Sequence, residues 1–258
     1  MYSEELAVIE DAVLTAGDLL KSYFGKISSF HEKSDSSLVS KADQEAEEII
    51  FQKLKAAFPK AEFYGEEGGK REGLQGFERS FACDPLDGTT NFLYRIPYFC
   101  SSVAMAYQGE WVLGYIYNPI SGDVFYAIKG EGAFHNGKAM QASKLEDESK
   151  AMVVFSRAFS SNYGRAIIPL YKRLQNVRAV RSMGSAALDL AYVADGRFDL
   201  HLCKGLNVWD TAAATVMLRE SGAAVMDLQG SDYDPFYADI LAGSPALVEK
   251  YLDLVKGL

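Results

Sequence analysis

The chain has 258 residues, a length that fits one large domain or two small halves sharing a site. With 48% hydrophobic and 24% charged residues, 7 Pro and 22 Gly, its composition is that of a folded globular protein and excludes collagen-like, low-complexity and wholly disordered classes. Asp and Glu number 35 against 26 Lys and Arg, a formal charge of -9 without a basic run longer than pairs such as Lys70-Arg71, which excludes nucleic acid as an expected partner. A phosphorylated ligand is still compatible with such a field where bound cations invert the local sign.

The acidic start Tyr2-Ser3-Glu4-Glu5 is unlike a signal peptide, and no uncharged run approaches the roughly 18 residues that a membrane span needs. Cys83, Cys100 and Cys203 form no C-x-x-C pair, so free thiols in the cytoplasm are expected rather than a disulfide framework or a structural zinc site. Leu6, Ile9, Val13, Ala16, Leu20 and Phe24 step by three and four, which predicts a first helix closing near Gly25. Ser40 and Asp43 have capping-box spacing and open a second helix with Ala46, Ile49, Ile50 and Leu54 on one face, ended by Pro59. Phe63-Tyr64 reads as a short strand that leads into Gly65-Glu66-Glu67-Gly68-Gly69.

Beyond Ser101 the period changes to short β-branched and aromatic runs. Val103 to Tyr107, Trp111 to Tyr117 and Val124 to Ile128 are separated by turn residues as in an antiparallel meander, and Asn136-Gly137 marks a further turn. No apolar period crosses residues 144–150, which makes that charged stretch the expected boundary between halves at 1–143 and 151–258. A strand is expected at Met152 to Phe155, a helix from Ser185 to Ala194 stopped by Gly196, another from Asp210 to Glu220 stopped by Gly222, and a last one opened by Ser244-Pro245.

The nine residues Asp84-Pro85-Leu86-Asp87-Gly88-Thr89-Thr90-Asn91-Phe92 are the most informative in the chain. Two carboxylates flank a proline-stiffened turn and can point at one centre, where hard oxygen ligands suit Mg²⁺ or Mn²⁺. A helix starting at Gly88-Thr89 would aim free N–H groups at the same place, a phosphate cradle beside a metal. The bland alternative is an Asp-Gly turn capped by Thr. A calcium loop is excluded by count, since with Asp84 at position 1 Thr89 falls where glycine is required and Arg95 where a glutamate is required. Glu66 and Glu67 stand either at a cation site or in a solvated acidic loop, and Asp210 of Trp209-Asp210 either ligates or caps its helix. His31, His135 and His201 lack any metal-ligand spacing and read as structural, as do Cys83 and the strand aromatics Tyr115, Tyr117, Phe125 and Tyr126.

Taken together, Gly65-Glu66-Glu67, the Asp84–Phe92 segment, Gly184-Ser185-Ala186-Ala187 and Trp209-Asp210 resemble the motifs of the inositol monophosphatase family of metal-dependent, lithium-sensitive phosphatases. Lys33 through Asp43 and Gly222 fit in looser form, so the resemblance spans most of the chain. It implies an α/β (mixed α+β) fold of layered α-β-α-β-α type, shared with fructose 1,6-bisphosphatase, with metals between the two halves. It also implies two or three Mg²⁺ ions, Mn²⁺ being a possible substitute, held by Glu66, Asp84, the Leu86 carbonyl, Asp87 and Asp210, with Asp43 reaching a third through water. Thr89 and Glu66, with Asp43 behind them, would orient and deprotonate the attacking water. The substrate would meet Asp87, the Gly88 and Thr89 amides, Gly184, Ser185, Ala186, Cys203 and Asp210. The resemblance further implies a homodimer acting on a small phosphorylated substrate, with no membrane or nucleic-acid partner.

One position departs from the pattern. Members that prefer inositol phosphate usually carry a glutamate seven residues before the Asp of Trp-Asp, where this chain has Cys203 followed by Lys204. A thiol does not accept two hydroxyl hydrogen bonds as a carboxylate does, so the expectation is intact phosphatase chemistry with a drifted leaving-group pocket. Fructose 1,6-bisphosphate, 3′-phosphoadenosine 5′-phosphate and histidinol phosphate are then alternatives to inositol 1-phosphate. A non-catalytic binder of phosphorylated ligands is the reading from another class, disfavoured because Glu66, Asp84, Asp87, Thr89 and Asp210 are all present.

Overall fold

The computed structural model describes residues 2–26, 31–32, 38–66, 77–157, 172 and 174–255. Helix α1 (Ser3–Tyr23) buries Ile9, Ala12, Val13, Ala16 and Leu20, the stripe given by its three-four spacing, and the chain leaves it through Gly25 at φ +77°. β1 (His31–Glu32) and β2 (Leu38–Val39) form a two-stranded antiparallel ribbon. α2 (Lys41–Ala57) opens on the expected capping box: Ser40 N and Oγ donate to Asp43 Oδ2 at 2.8 and 2.6 Å, and Ala42 N donates to Ser40 Oγ at 3.2 Å.

A seven-stranded sheet follows in chain order, built from β3 (Glu62–Gly65), β4 (Arg79–Asp87), β5 (Cys100–Tyr107), β6 (Glu110–Asn118), β7 (Asp123–Ile128), β8 (Gly132–His135) and β9 (Lys138–Ala139), with α3 (Thr89–Leu93) between β4 and β5. β3 and β4 are parallel and every later neighbour is antiparallel. Both Gln108-Gly109 and Asn136-Gly137 have positive φ at their two positions, the backbone twist that tight hairpins demand.

Strands β10 (Met152–Arg157) and β11 (Ala179–Arg181) start a second sheet; α4 (Ala186–Ala194), β12 (Leu200–Lys204), α5 (Val208–Glu220), β13 (Ala224–Met226), β14 (Ile240–Gly243) and α6 (Pro245–Val255) complete the described chain. The strand order is β11-β10-β12-β14-β13, parallel for the first three and antiparallel at β14 and β13. α1 and α2 pair on one face of the large sheet, α4 and α5 lie between the sheets, and α6 covers the far face of the small one with Leu247, Val248, Tyr251 and Val255. The order of layers is therefore α-β-α-β-α, as the resemblance implied. No described helix is long and apolar enough to cross a membrane.

The central layer depends on small residues. Ala82, Ala104, Gly114, Ala127 and Ala133 are successive partners across β4 to β8, and all but Gly114 join the same buried cluster as Ala212, Ala213 and Ala214 of α5. A Cβ on Gly114 would stand 2.2 Å from the Ala213 carbonyl oxygen, so helix backbone lies directly on strand backbone there. That close seat explains why α5 is apolar on nearly every side from Thr211 to Leu218: sheet lies below it, and α4 and β13 lie beside it.

Two local expectations are corrected. Asp84-Pro85-Leu86-Asp87 is no free turn; β4 runs through it, with an irregular register between the pairs Asp84–Ser102 and Asp87–Cys100. Proline has no N–H to give to a ladder, so the strand bulges at Pro85, whose carbonyl instead accepts from Ser101 Oγ at 2.7 Å. Second, α5 begins at Val208 rather than Asp210, which puts Asp210 at its third position.

Candidate active site

Four carboxylates converge at the end of the large sheet that faces α5. The parallel register sets Gly65 opposite Cys83, so Glu66 leaves β3 beside Asp84 of β4. The bulge at Pro85 carries the strand on to Asp87, and the start of α5 delivers Asp210 from the other side. Asp84 and Asp87 are 2% and 9% exposed.

Protein donors hold each aspartate. Leu86 N donates to Asp84 Oδ1 at 3.0 Å, and Asn207 N to Asp210 Oδ2 at 2.7 Å. Asp87 Oδ2 accepts from Ser185 Oγ at 2.6 Å and from Ala187 N at 2.7 Å, at the first turn of α4. Asp43 lies behind this group: Thr89 Oγ1 stands 3.0 Å from Asp43 Oδ1 and 3.0 Å from the Leu86 carbonyl, so its single proton serves one of the two at a time. The helix-capping and ligating alternatives for Asp210 and Asp43 are thus compatible, since capping leaves each side chain inside the cluster.

Burial and mutual repulsion dominate the electrostatics. Desolvation, then Glu66, Asp87 and Asp210, raise the Asp84 pKa well above the usual carboxylate range. Burial and Asp87 push Asp210 up to about 7, and burial also raises Asp87 and Asp43, against the hydrogen bonds from Ser185, Ala187 and Ser40. Among the described residues no three acidic, His or Cys side chains are drawn to the spacing of a formed metal site. The donor set nonetheless suits a hard divalent cation: it is all oxygen, rich in carboxylates and partly withdrawn from water, and a cation would relieve the repulsion that helps to raise these pKa values. Side chains that repel one another stand apart until a cation draws them in.

The remaining motif residues are also placed. Gly88, at φ +97°, precedes α3 (Thr89–Leu93), a helix of one turn, and a Cβ on it would meet the Tyr98 carbonyl at 3.1 Å and the Gly184 carbonyl at 3.2 Å. The Gly184-Ser185-Ala186 turn therefore abuts the Asp87-Gly88 turn across the two sheets. Cys203 is 1% exposed, with its thiol donating to the Lys204 carbonyl at 3.6 Å and raised in pKa by burial. Lys204 Nζ lies 3.7 Å from Asp239 Oδ2. Glu67 lies outside the described residues. His201 is fully buried in β12, and His135 bridges Asp123 (3.0 Å) and Asp195 (3.2 Å). Sequence reasoning gave no role to Asn91, Tyr98 or Asp189, which join the layers: Tyr98 OH donates to Asp189 Oδ1 at 2.8 Å and Asn91 Nδ2 to Met183 O at 2.8 Å. A polar residue inside an otherwise buried run was the available signal.

A family model described as the inositol monophosphatase family matches residues 1–257. The chain is 36% identical over 255 residues to inositol-1-monophosphatase of Rhizobium meliloti, covering 97% of this chain and 96% of that protein. It is 38% identical over 258 residues to inositol-1-monophosphatase of Mesorhizobium japonicum, with the same two shares. The crystal structure of extragenic suppressor protein suhB from Bartonella henselae superposes with a TM-score of 0.91 at 36% identity, over 99% of each chain.

Proposed function

Because the chain belongs to the inositol monophosphatase family, we propose that this phosphatase is a Mg²⁺-dependent phosphomonoesterase acting on a small phosphorylated alcohol or sugar. The observation that carries the reading is the cluster of Glu66, Asp84, Asp87 and Asp210, two of them buried and two partly so, in which Glu66, Asp87 and Asp210 raise the Asp84 pKa and Asp87 and Glu66 raise that of Asp210. Such a cluster is unfavourable unless a cation binds, and a phosphate ester is the anionic partner that bound cations then attract.

Glu66, Asp84, the Leu86 carbonyl, Asp87 and Asp210 would hold two Mg²⁺ ions, with Asp43 reaching a third through water; Mn²⁺ suits the same oxygens. A metal held there would supply acidification of a water and compensation of charge on the departing alkoxide. The chain's own groups do the positioning. With its own proton given to Asp43, Thr89 would accept a hydrogen bond from the attacking water and so orient it, while the Glu66 carboxylate would take up the proton that the water loses. The Gly88 and Thr89 amides hold phosphate oxygens, and the Gly184-Ser185-Ala186 turn closes the pocket from the other sheet.

Leaving-group choice is a separate matter. Buried Cys203 offers no pair of acceptors to ring hydroxyls, and Lys204 shares its charge with Asp239, which supports a pocket that does not single out myo-inositol. Phosphate release should be measured with and without Mg²⁺ from inositol 1-phosphate, fructose 1,6-bisphosphate, 3′-phosphoadenosine 5′-phosphate and histidinol phosphate. Mg²⁺-stimulated release from at least one is expected. A clear preference for inositol 1-phosphate would overturn the drifted pocket, and no release from any of the four would overturn the phosphatase reading.

A further inference from the structure

Asn91 lies in the first informative segment, yet it touches none of the four clustered carboxylates. It is 7% exposed, and its Nδ2 donates both to the Tyr98 carbonyl at 2.7 Å and to the Met183 carbonyl at 2.8 Å. The first acceptor belongs to the loop that follows α3 on the large sheet, and the second to the strand-to-helix connection of the small sheet. Gly184, next in chain to Met183, has φ +89°, and a Cβ on it would stand 3.0 Å from Asn91 Nδ2 and 3.2 Å from Asn91 Oδ1. The amide is therefore packed flat beneath the turn as well as bonded to it. One and three residues further on, Ser185 Oγ and Ala187 N supply the two short hydrogen bonds to Asp87 Oδ2.

We propose that Asn91 is a positioning residue: its amide bolts the Met183-Gly184-Ser185 turn to the loop after α3, and through Ser185 and Ala187 this sets the orientation in which Asp87 takes a divalent cation. The proposal rests on the metal-dependent phosphatase reading above. A primary amide suits the task because it places two N–H donors in one plane with a fixed angle between them, and both acceptors are carbonyl oxygens. No hydroxyl has two protons to give, and a carboxylate would face the same carbonyls with acceptors only. The backbone at Gly88 and Gly184 is already in close approach, with no room for side chains between them, so Asn91 adds its hydrogen bonds at the edge of a tight contact.

The test is a double-mutant cycle read by Mn²⁺ binding in calorimetry, without substrate, for wild type, Asn91→Ala, Ser185→Ala and the pair. Loss of an outer partner of a metal ligand typically weakens binding by about 10- to 100-fold, so each single variant is expected to weaken Mn²⁺ by about tenfold. Because both act through the same carboxylate, the pair is expected to bind no more weakly than the weaker single, within about twofold. In turnover, the Mg²⁺ concentration for half-maximal rate should rise while KM for substrate stays near the wild-type value. A purely structural Asn91 would lower the unfolding temperature and leave Mn²⁺ affinity unmoved, and that outcome overturns the proposal, as does multiplication of the two losses. Should Asn91→Ala fail to fold by circular dichroism, Asn91→Gln, whose donors lie one methylene too far, replaces it in the same cycle. A wild type that neither binds Mn²⁺ nor releases phosphate removes the phosphatase reading itself; a wild type that does both beside unaltered variants removes only the role of Asn91.

Discussion

Replacing Gly114 with alanine tests the seat of α5 on the large sheet and its link to the site. Gly114 is absent from the residues with positive φ, so alanine meets no backbone strain there, and the whole effect comes from contact. The new Cβ would lie 2.2 Å from the Ala213 carbonyl oxygen and 2.8 Å from both Ala213 C and Cα, where ordinary contact starts at 3.4 Å. Every opposing atom is backbone, so no rotamer change relieves the clash and the helix must retreat by about 1 Å at that point. Overpacking of this kind costs about 1–3 kcal/mol, and the rigid partner places Gly114→Ala at the upper end. For a chain of this length a loss near 3 kcal/mol lowers Tm by roughly 6–12 °C. Asp210 lies one turn before Ala213 on the same helix, so the retreat also displaces a carboxylate of the cluster, and a shift of about 1 Å in catalytic geometry costs roughly 100-fold in rate. Thermal melts followed by circular dichroism, together with phosphate release at saturating Mg²⁺, read both effects. The control is Gly109→Ala, at φ +85° with nothing within 4 Å, which should lose only the roughly 1–2 kcal/mol of a left-handed alanine and keep its rate. Wild-type Tm and rate in Gly114→Ala would refute the close packing of α5.

Three further outcomes follow from the same structure. Asp84→Asn keeps the side-chain shape and removes one of the crowded charges, so it should retain its far-UV spectrum, lose turnover at every Mg²⁺ concentration and no longer gain thermal stability from Mg²⁺; near-normal activity at saturating Mg²⁺ would contradict the assignment. Tyr98→Phe removes the 2.8 Å hydrogen bond to the buried Asp189 carboxyl, which should cost about 2 kcal/mol and lower Tm by roughly 4–8 °C, and an unchanged melt would show that the contact between layers is of no consequence. Burial lowers the His201 pKa from 6.5 to about 3, so between these values the unfolded chain holds a proton that the folded one lacks, and stability falls as pH falls through that window by about 1.4 kcal/mol per unit. Urea unfolding at pH 7 and 4.5 should therefore show the wild type losing about 2–3 kcal/mol relative to His201→Gln on acidification, whereas an equal gap at both pH values would place His201 in contact with water.

The sequence by itself determined the elements whose signal is local. The three-four spacing of α1 and α2, the Ser40–Asp43 box, the meander of β5 to β7 and the Asn136-Gly137 turn depend on backbone preferences and on which face is apolar, and both are written along the chain. The segments around Glu66, Asp84, Asp87 and Asp210 each carried a bland alternative as residue types at fixed spacing, and only the resemblance to the inositol monophosphatase family joined them into one expected site. What covers each apolar face was not legible, because periodicity states that a face must be buried and says nothing of its partner. Only the tertiary structure decided that β4 continues through Pro85, since the bulge needs Ser101 of another strand to satisfy the carbonyl that the ladder abandons. It also decided that Cys203 is buried, with its thiol on the Lys204 carbonyl, and that Asn91 spans the two sheets. The acidity of the chain divides in the same way. A net charge of -9 is a property of composition, but the raised pKa values of Asp84 and Asp210 exist because the fold takes these carboxyls out of water and brings Glu66, Asp84, Asp87 and Asp210, from three separate segments, together.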